Sequence, residues 1–182
     1  FRSTGMFNGT VNAISEPDAS GVRYLGGSFT SFSPWTTGAS AAVDAVTGAV
    51  DSSYPKVGPV GAGVFASEPD GGGGVFIAGE FGEVDGQVRY GLAHVLADGS
   101  VDPAWTAGLT AGSGSSIRDI ELVGGVLYAV GAFSAVAAAP GGTPTTRYNA
   151  VAFTASTGAI STWNPAVQNG STVSTIAVGA SQ

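Results

Sequence analysis

The sequence predicts an all-β chain assembled from a repeated unit, on three observations. First, a Gly-x-Phe that closes an apolar run returns at a fixed interval of 52 residues, at Gly27, Gly79 and Gly131. The runs are Tyr24-Leu25-Gly26-Gly27-Ser28-Phe29, Phe76-Ile77-Ala78-Gly79-Glu80-Phe81 and Tyr128-Ala129-Val130-Gly131-Ala132-Phe133. Second, every apolar run is short, rich in Val, Ile, Ala, Phe and Tyr, and lacks helical periodicity. Third, the runs are punctuated by Asp-Gly, Gly-Gly and Pro-Asp, residues that accept the backbone of tight hairpins.

Each unit carries four segments in a fixed order. The first is Val11 to Ser15, Val64 to Ser67 and Ile117 to Val123, closed by the turns Glu16-Pro17-Asp18, Glu68-Pro69-Asp70-Gly71 and Gly124-Gly125. The Gly-x-Phe run is the second. The third is Ala41 to Val46, Leu92 to Ala97 and Ala150 to Ala155, closed by Thr47-Gly48, Asp98-Gly99 and Thr157-Gly158. The fourth carries an aromatic: Tyr54, Trp105 and Trp163. A meander of four antiparallel strands in about 50 residues is the unit of a β-propeller blade. The expected architecture is therefore a propeller or propeller segment, with blades over approximately 10–59, 60–116 and 117–170. The flanks 1–9 and 171–182 read as single strands of split terminal blades. In that setting the recurring Gly admits close backbone approach and the Phe fills the layer between neighbouring blades. Three blades do not close a ring, so the chain reads as a fragment or as a subunit completed by copies of itself.

Composition narrows the function. The chain has 182 residues, 13 acidic against 6 basic side chains, a net charge of −7 and no Cys. That balance excludes nucleic acid as a partner, since phosphates demand clustered cations, and it disfavours an anionic membrane surface. No apolar stretch is long enough to insert in a bilayer. Without Cys there is no disulfide framework, cysteine zinc site or thiol nucleophile. Phe1 opens no leader pattern, so any targeting segment is expected to be already gone. The Gly-, Ala-, Ser- and Thr-rich, Cys-free composition fits a secreted or cell-surface protein.

The middle copy reads Pro69-Asp70-Gly71, Phe76 to Phe81, Asp85-Gly86, Arg89, Ala93, Asp98-Gly99, then Asp102-Pro103-Ala104-Trp105. This order resembles the delta-60 repeat family of bacterial β-propeller proteins, over nearly the whole chain. The third copy departs from the pattern by losing the Pro-Asp-Gly turn and gaining Ala137 to Thr145; the first lacks the Arg, with Gly38-Ala39-Ser40 in its place. The resemblance implies large secreted or surface-attached tandem-repeat proteins and transfers no catalytic residues.

Candidate chemistry is sparse. His94 is the only His, mid-strand, with no Gly-x-Ser-x-Gly elbow to supply a nucleophile, and reads as structural or solvent-facing. Asp70, Asp85, Asp98 and Asp102 read as turn residues; the EF-hand and RTX calcium patterns are absent, and no metal or other cofactor is expected. Gly71 to Gly74 lack the Lys-Ser/Thr of a phosphate loop and read as a hairpin turn. Asn8-Gly9-Thr10 and Asn169-Gly170-Ser171 match the glycosylation sequon but read as Asn-Gly turns. Arg89-Tyr90 and Arg147-Tyr148 recur ahead of the third strand, where an Arg beside an aromatic can grip a carboxylate or stack on a sugar. The favoured reading is structural, an intramolecular bridge from each Arg to the Asp of the neighbouring turn that locks blade to blade. Trp35, in the loop Ser33 to Thr37, and the 137–146 loop are placed to line one face and meet a partner. The candidate binding residues are thus Trp35, Arg89, Tyr90, Arg147 and Tyr148. The expected function is a non-enzymatic extracellular scaffold or adhesive module that binds a protein or a glycan. Two alternatives stand beside it. One is a self-assembling structural subunit joined through its terminal strands. The other is a carbohydrate-active propeller enzyme, for which Glu80 and Glu83 supply carboxylates in one copy only.

Overall fold

The computed structural model describes residues 6–59, 62–110 and 114–179, and among these the chain is all-β, with 17 strands and no helix. Three antiparallel three-stranded sheets of like order carry the architecture. The first joins β1 (Val11–Ile14), β2 (Val22–Gly27) and β5 (Ser40–Asp44). The second joins β7 (Gly63–Pro69), β8 (Val75–Glu80) and β11 (Leu92–Val95). The third joins β13 (Ser116–Val123), β14 (Val126–Ala132) and β17 (Ala150–Thr154).

Between the second and third long strands of each copy a short hairpin stands out from the sheet: β3 (Ser31–Phe32) with β4 (Trp35–Thr36), β9 (Glu83–Val84) with β10 (Gln87–Val88), and β15 (Ala135–Ala137) with β16 (Thr145–Thr146). The chain arriving from the preceding copy adds to this hairpin. Thus β6 (Val57–Gly58) pairs with β9, β12 (Gly108–Leu109) pairs with β15, and Phe7 bridges to Phe32.

The fourth segment departs from expectation. It meets its own sheet through a single bridge in each copy, Val43 to Val50, Val95 to Val101 and Phe153 to Ile160, so the sheets have three strands and not four. The cause is local. Immediately after each bridge a side chain captures the backbone: Asp51 accepts from Ser53 N–H, Asp102 from Ala104 and Trp105 N–H, and Ser161 Oγ from Trp163 N–H. Such Asx and Ser turns compete with the ladder and end it. Residues 171–179, expected as a strand, form no ladder. They lie against the third sheet, with Val173 N–H on Gly131 C=O and Ile176 N–H on Asp119. Of the flank 1–9, residues 1–5 fall outside the described part.

The three sheets stack face to face. On β8, Val75 and Ile77 enter the core shared with the first sheet, while Phe76 and Ala78 enter the core shared with the third. This is the period of two that buries both faces of a central sheet. The aromatics of the fourth segments sit in these layers, Tyr54 in the first and Trp105 in the second. The first strands meet along the stack, β7 packing on β1 and β2, and β13 on β7 and β8.

The recurring Gly is explained by a bulge. Gly27, Gly79 and Gly131 face Val11, Val64 and Ile117, and in each case the partner strand shifts register at the next residue. A Cβ on these glycines would lie 2.0, 2.0 and 2.1 Å from the carbonyl oxygens of Thr10, Gly63 and Ser116. Only a residue without a side chain admits that approach. The bulged residues Asn12, Phe65 and Arg118 line up from sheet to sheet. Asn12 Nδ2 lies 3.4 Å from Val64 C=O, and the Arg118 guanidinium lies 4.6 Å over the Phe65 ring.

Candidate functional site

The two Arg of the candidate set do the same work. Arg89 is 5% exposed; its Nη1 donates to Val88 C=O (2.8 Å) and its Nη2 to Asp102 C=O (2.9 Å) and to Gln87 Oε1 (3.2 Å). Arg147 repeats the pattern, Nη1 on Thr146 C=O (2.9 Å) and Nη2 on Ser161 C=O (3.0 Å). Each guanidinium thereby ties the hairpin that precedes it to the turn of the fourth segment. The acceptors are backbone carbonyls rather than a turn carboxylate. Burial pushes the Arg89 pKa down, partly offset by the charge of Asp102. Both Nε atoms are buried without a partner among the described residues, so neither Arg is fully satisfied by its slot. Tyr90 and Tyr148 are half-buried beside them, Tyr90 against the second core layer.

Thr37 occupies the Arg position in the first copy. The backbone identifies it: Thr37 N–H bonds to Thr30 C=O as Arg89 does to Gly82 and Arg147 to Ser134. Counting from Gly38 therefore places the substitution one residue too late. Beside Thr37 lies an open cleft of about 340 Å³, lined by Trp35, Thr36 and Asp51, the counterparts of the residues that hold Arg89. Its wall is Pro34, Trp35, Thr36 and Thr37, its floor Ser40, Ala41 and Tyr54, and its rim Asp51, Ser52 and Lys56. Trp35 is 45% exposed at this cleft. Tyr54 is buried, with its hydroxyl 3.3 Å from Ser40 Oγ, and burial drives its pKa upward, so the phenol is neutral. A second cleft of about 220 Å³ adjoins it and shares Thr36 and Lys56.

His94 lies elsewhere, on β11, stacked on Phe76 with ring centroids 4.3 Å apart and only 8% exposed. Its Nδ1 is 2.9 Å from Asp102 Oδ2 and its Nε2 is 3.1 Å from Asp70 Oδ2. Burial opposes the charge on Asp70, but the Gly72 amide, His94 and the Gly74 amide outweigh it and hold the carboxyl below its usual range. For Asp102 the same opposition from burial is outweighed by His94 and the Ala104 and Trp105 amides. Each ring nitrogen lies within hydrogen-bond distance of a turn carboxylate oxygen, and the arrangement clamps the β7–β8 turn to the fourth segment. A shallow cavity of about 320 Å³ opens beside it, lined by Phe76, Leu122, Gly125, Ala155 and Ser156.

The remaining candidates are turn and loop residues. Asp70 Oδ1 accepts from Gly72 and Gly74 N–H, and Asp98 Oδ1 from Ser100 N–H. Asp85 and Gly86 hold positive φ at the tip of the β9–β10 hairpin. Among the described residues no three His, Asp or Glu side chains are grouped to hold a metal ion. Asn8 is engaged in bonds to the first hairpin, its Oδ1 accepting from Thr30 and Ser31 N–H. The loop that joins β15 to β16 is exposed at residues 141–144 and lines none of the three clefts.

Reasoning from sequence missed Thr37, Tyr54 and Lys56 as cleft residues. The one signal that leads to them was visible: an Arg present in the second and third copies and missing in the first. No protein-family profile matches the chain, and no curated protein matches it.

Proposed function

We propose that the chain is a non-enzymatic binding module, a segment of an extracellular β-propeller of the delta-60 type that presents the Trp35 cleft to a protein or glycan partner. Three like sheets stacked face to face, with their first strands adjacent and an aromatic between each pair, support the propeller reading. Such a stack is a stiff body, so the loops it carries meet a partner with little ordering cost. The observation that carries the binding role is the half-exposed Trp35 over an open cleft lined by the counterparts of the residues that hold Arg89. An aromatic with nearby hydroxyls and one charge of each sign is the composition of a recognition surface. The commitment of both His94 nitrogens to carboxylates favours this reading over an enzymatic one.

The test probes a glycan array and a tiled peptide array with the labelled chain and with Trp35→Ala. The expected result is a set of ligands bound by the native chain and lost in the variant, whose thermal melt is unchanged. Binding that survives Trp35→Ala, or no binding at all, contradicts the reading.

A second reading, assembly with copies of itself, rests on the first sheet. Its β1 leaves Val11 39% and Ile14 61% exposed, on a face no other described sheet covers. Light scattering across a concentration series distinguishes the two: a discrete multimer favours assembly, a monomer favours the binding segment.

A further inference from the structure

We infer that the Trp35 cleft binds a guanidinium group, supplied by an arginine side chain of a protein partner. The inference rests on the reading of this cleft as the contact site and names the chemistry that it takes.

The argument is a substitution made by the repeat itself. In the second and third copies the slot between the short hairpin and the fourth segment holds a guanidinium from the same chain. That group is anchored on two carbonyls, Val88 with Asp102 and Thr146 with Ser161. Their counterparts in the first copy are Thr36 and Asp51. Thr36 pairs with Ser31 as Val88 pairs with Glu83. Asp51 N–H bonds to Ala42 C=O as Asp102 does to His94 and Ser161 does to Ala152. Both Thr36 and Asp51 line the open cleft. The backbone positions that anchor a guanidinium therefore recur in the first copy, where Asp51 C=O also accepts a long bond from Tyr54 N–H (3.4 Å) and keeps a second lone pair, while the residue that would supply the guanidinium, Thr37, is too short to reach.

The side chains agree. Trp35 replaces Gln87, which gives the guanidinium a hydrogen-bond acceptor, and offers an indole face on which a planar cation stacks. Two charged residues line the cleft, Asp51, whose Oδ1 also accepts from Ser53, and Lys56. Asp51 attracts a cation and Lys56 repels it. A carboxylate or sulfated sugar would reverse both preferences, so Lys56 discriminates between ligand classes. Arg rather than Lys is specified because two carbonyls and a flat aromatic suit a planar fork and not a point charge.

The experiment follows the Trp35 indole N–H by ¹H–¹⁵N NMR while N-acetyl-arginine amide is added, with N-acetyl-lysine amide as the control. The expected result is a saturable shift with the arginine probe, at least about tenfold weaker with the lysine probe. Thr37→Arg should abolish the response by filling the slot from within, and should raise the melting temperature by about 2–4 °C. Lys56→Gln should tighten binding. The inference is overturned if Thr37→Arg binds the probe as well as the native chain, if Lys56→Gln weakens binding, or if lysine binds as tightly as arginine. If arginine leaves Trp35 unmoved while an array ligand shifts it, the guanidinium inference falls and the binding-module reading stands. If neither shifts it, both fall.

Discussion

Replacing Gly79 with Ala tests whether the recurring glycine is held by the bulge. The added Cβ would lie 2.0 Å from Gly63 C=O and 2.9 Å from Val64 Cα, whereas real Cβ contacts stay beyond 3.0 Å. Neither neighbour is a flexible side chain, so β7 and β8 must separate by about an ångström. The central sheet is buried on both faces and cannot relax toward solvent. Overpacking of this kind costs about 1–3 kcal/mol, and opening two ladder hydrogen bonds adds about 0.5–1.5 kcal/mol each. The reduced entropy of the unfolded chain returns about 0.4–1 kcal/mol. The net is a loss of about 1–6 kcal/mol, centred near 3, or roughly 10 °C in melting temperature at the centre for a chain of this size. Gly72→Ala is the internal control. Its Cβ meets Asp70 Oδ1 at 3.5 Å, an ordinary contact, and the residue is not in the left-handed region. That variant should be neutral or slightly stabilised. The assay is thermal unfolding by circular dichroism with a urea titration on both variants. A Gly79→Ala melt within about 2 °C of the native chain refutes the steric account of the repeat.

Four further predictions concern the ionisable groups. His94→Ala should destabilise by about 2 kcal/mol in urea unfolding, because Asp70 and Asp102 lose their shared donor and Phe76 its stacking partner; Ala already stands at the equivalent Ala42 and Ala152, so the backbone tolerates it. The folded pKa values of Asp70 and Asp102 are depressed, so their contribution is complete above 3.8 and is lost as pH falls through the lower folded values; Asp102→Asn should therefore lower the urea midpoint at pH 7 and leave it near native in strong acid, and an equal deficit at both would contradict this. Glu68 behaves oppositely, its pKa raised above 4.5 first by burial and then by Glu121 and Asp119, against the Leu122 amide; its stabilising contribution is full below 4.5 and is lost as pH rises, so Glu68→Gln should stabilise at pH 7, by roughly 0.5 kcal/mol or less given its exposure, and not at pH 4, as calorimetry at the two values will show. Arg89→Leu should cost about 2 kcal/mol in thermal unfolding by leaving the Asp102 carbonyl unserved, the unpaired Nε limiting the loss; a melt equal to native would show that this Arg holds nothing together.

Much of the fold was legible because its determinants are local. Gly124 and Gly125 both take positive φ, the tight turn that two adjacent glycines permit. The alternation Val75-Phe76-Ile77-Ala78 marks a strand and, once β8 is known to be central, sends its residues to two different cores. The fourth strand was overread because Asp51, Asp102 and Ser161 look like strand ends in sequence, whereas their side chains stop the ladder after one bridge. The His94 clamp was illegible for a different reason. Its partners lie 24 and 8 residues away, on a turn and on another segment, and only the sheet register brings them together. Trp35, expected in a loop, is exposed but lies on the short strand β4, while Arg89 and Arg147, expected on the same footing, are turned into their own hairpins. An Arg-aromatic pair reads alike whether the guanidinium points to solvent or into its own turn.

The central claim is that the open cleft of the first copy is where this module meets its partner. Its most direct test is a chemical-shift map of the ¹⁵N-labelled chain titrated with an arginine-bearing peptide that binds in the array. The account predicts that the perturbed amides surround the cleft, at Trp35, Thr36, Thr37, Ser40, Ser52 and Lys56, with the His94 cavity and the 141–144 loop unmoved. Perturbations concentrated at that loop, at the His94 cavity or along β1, with the cleft silent, would contradict it.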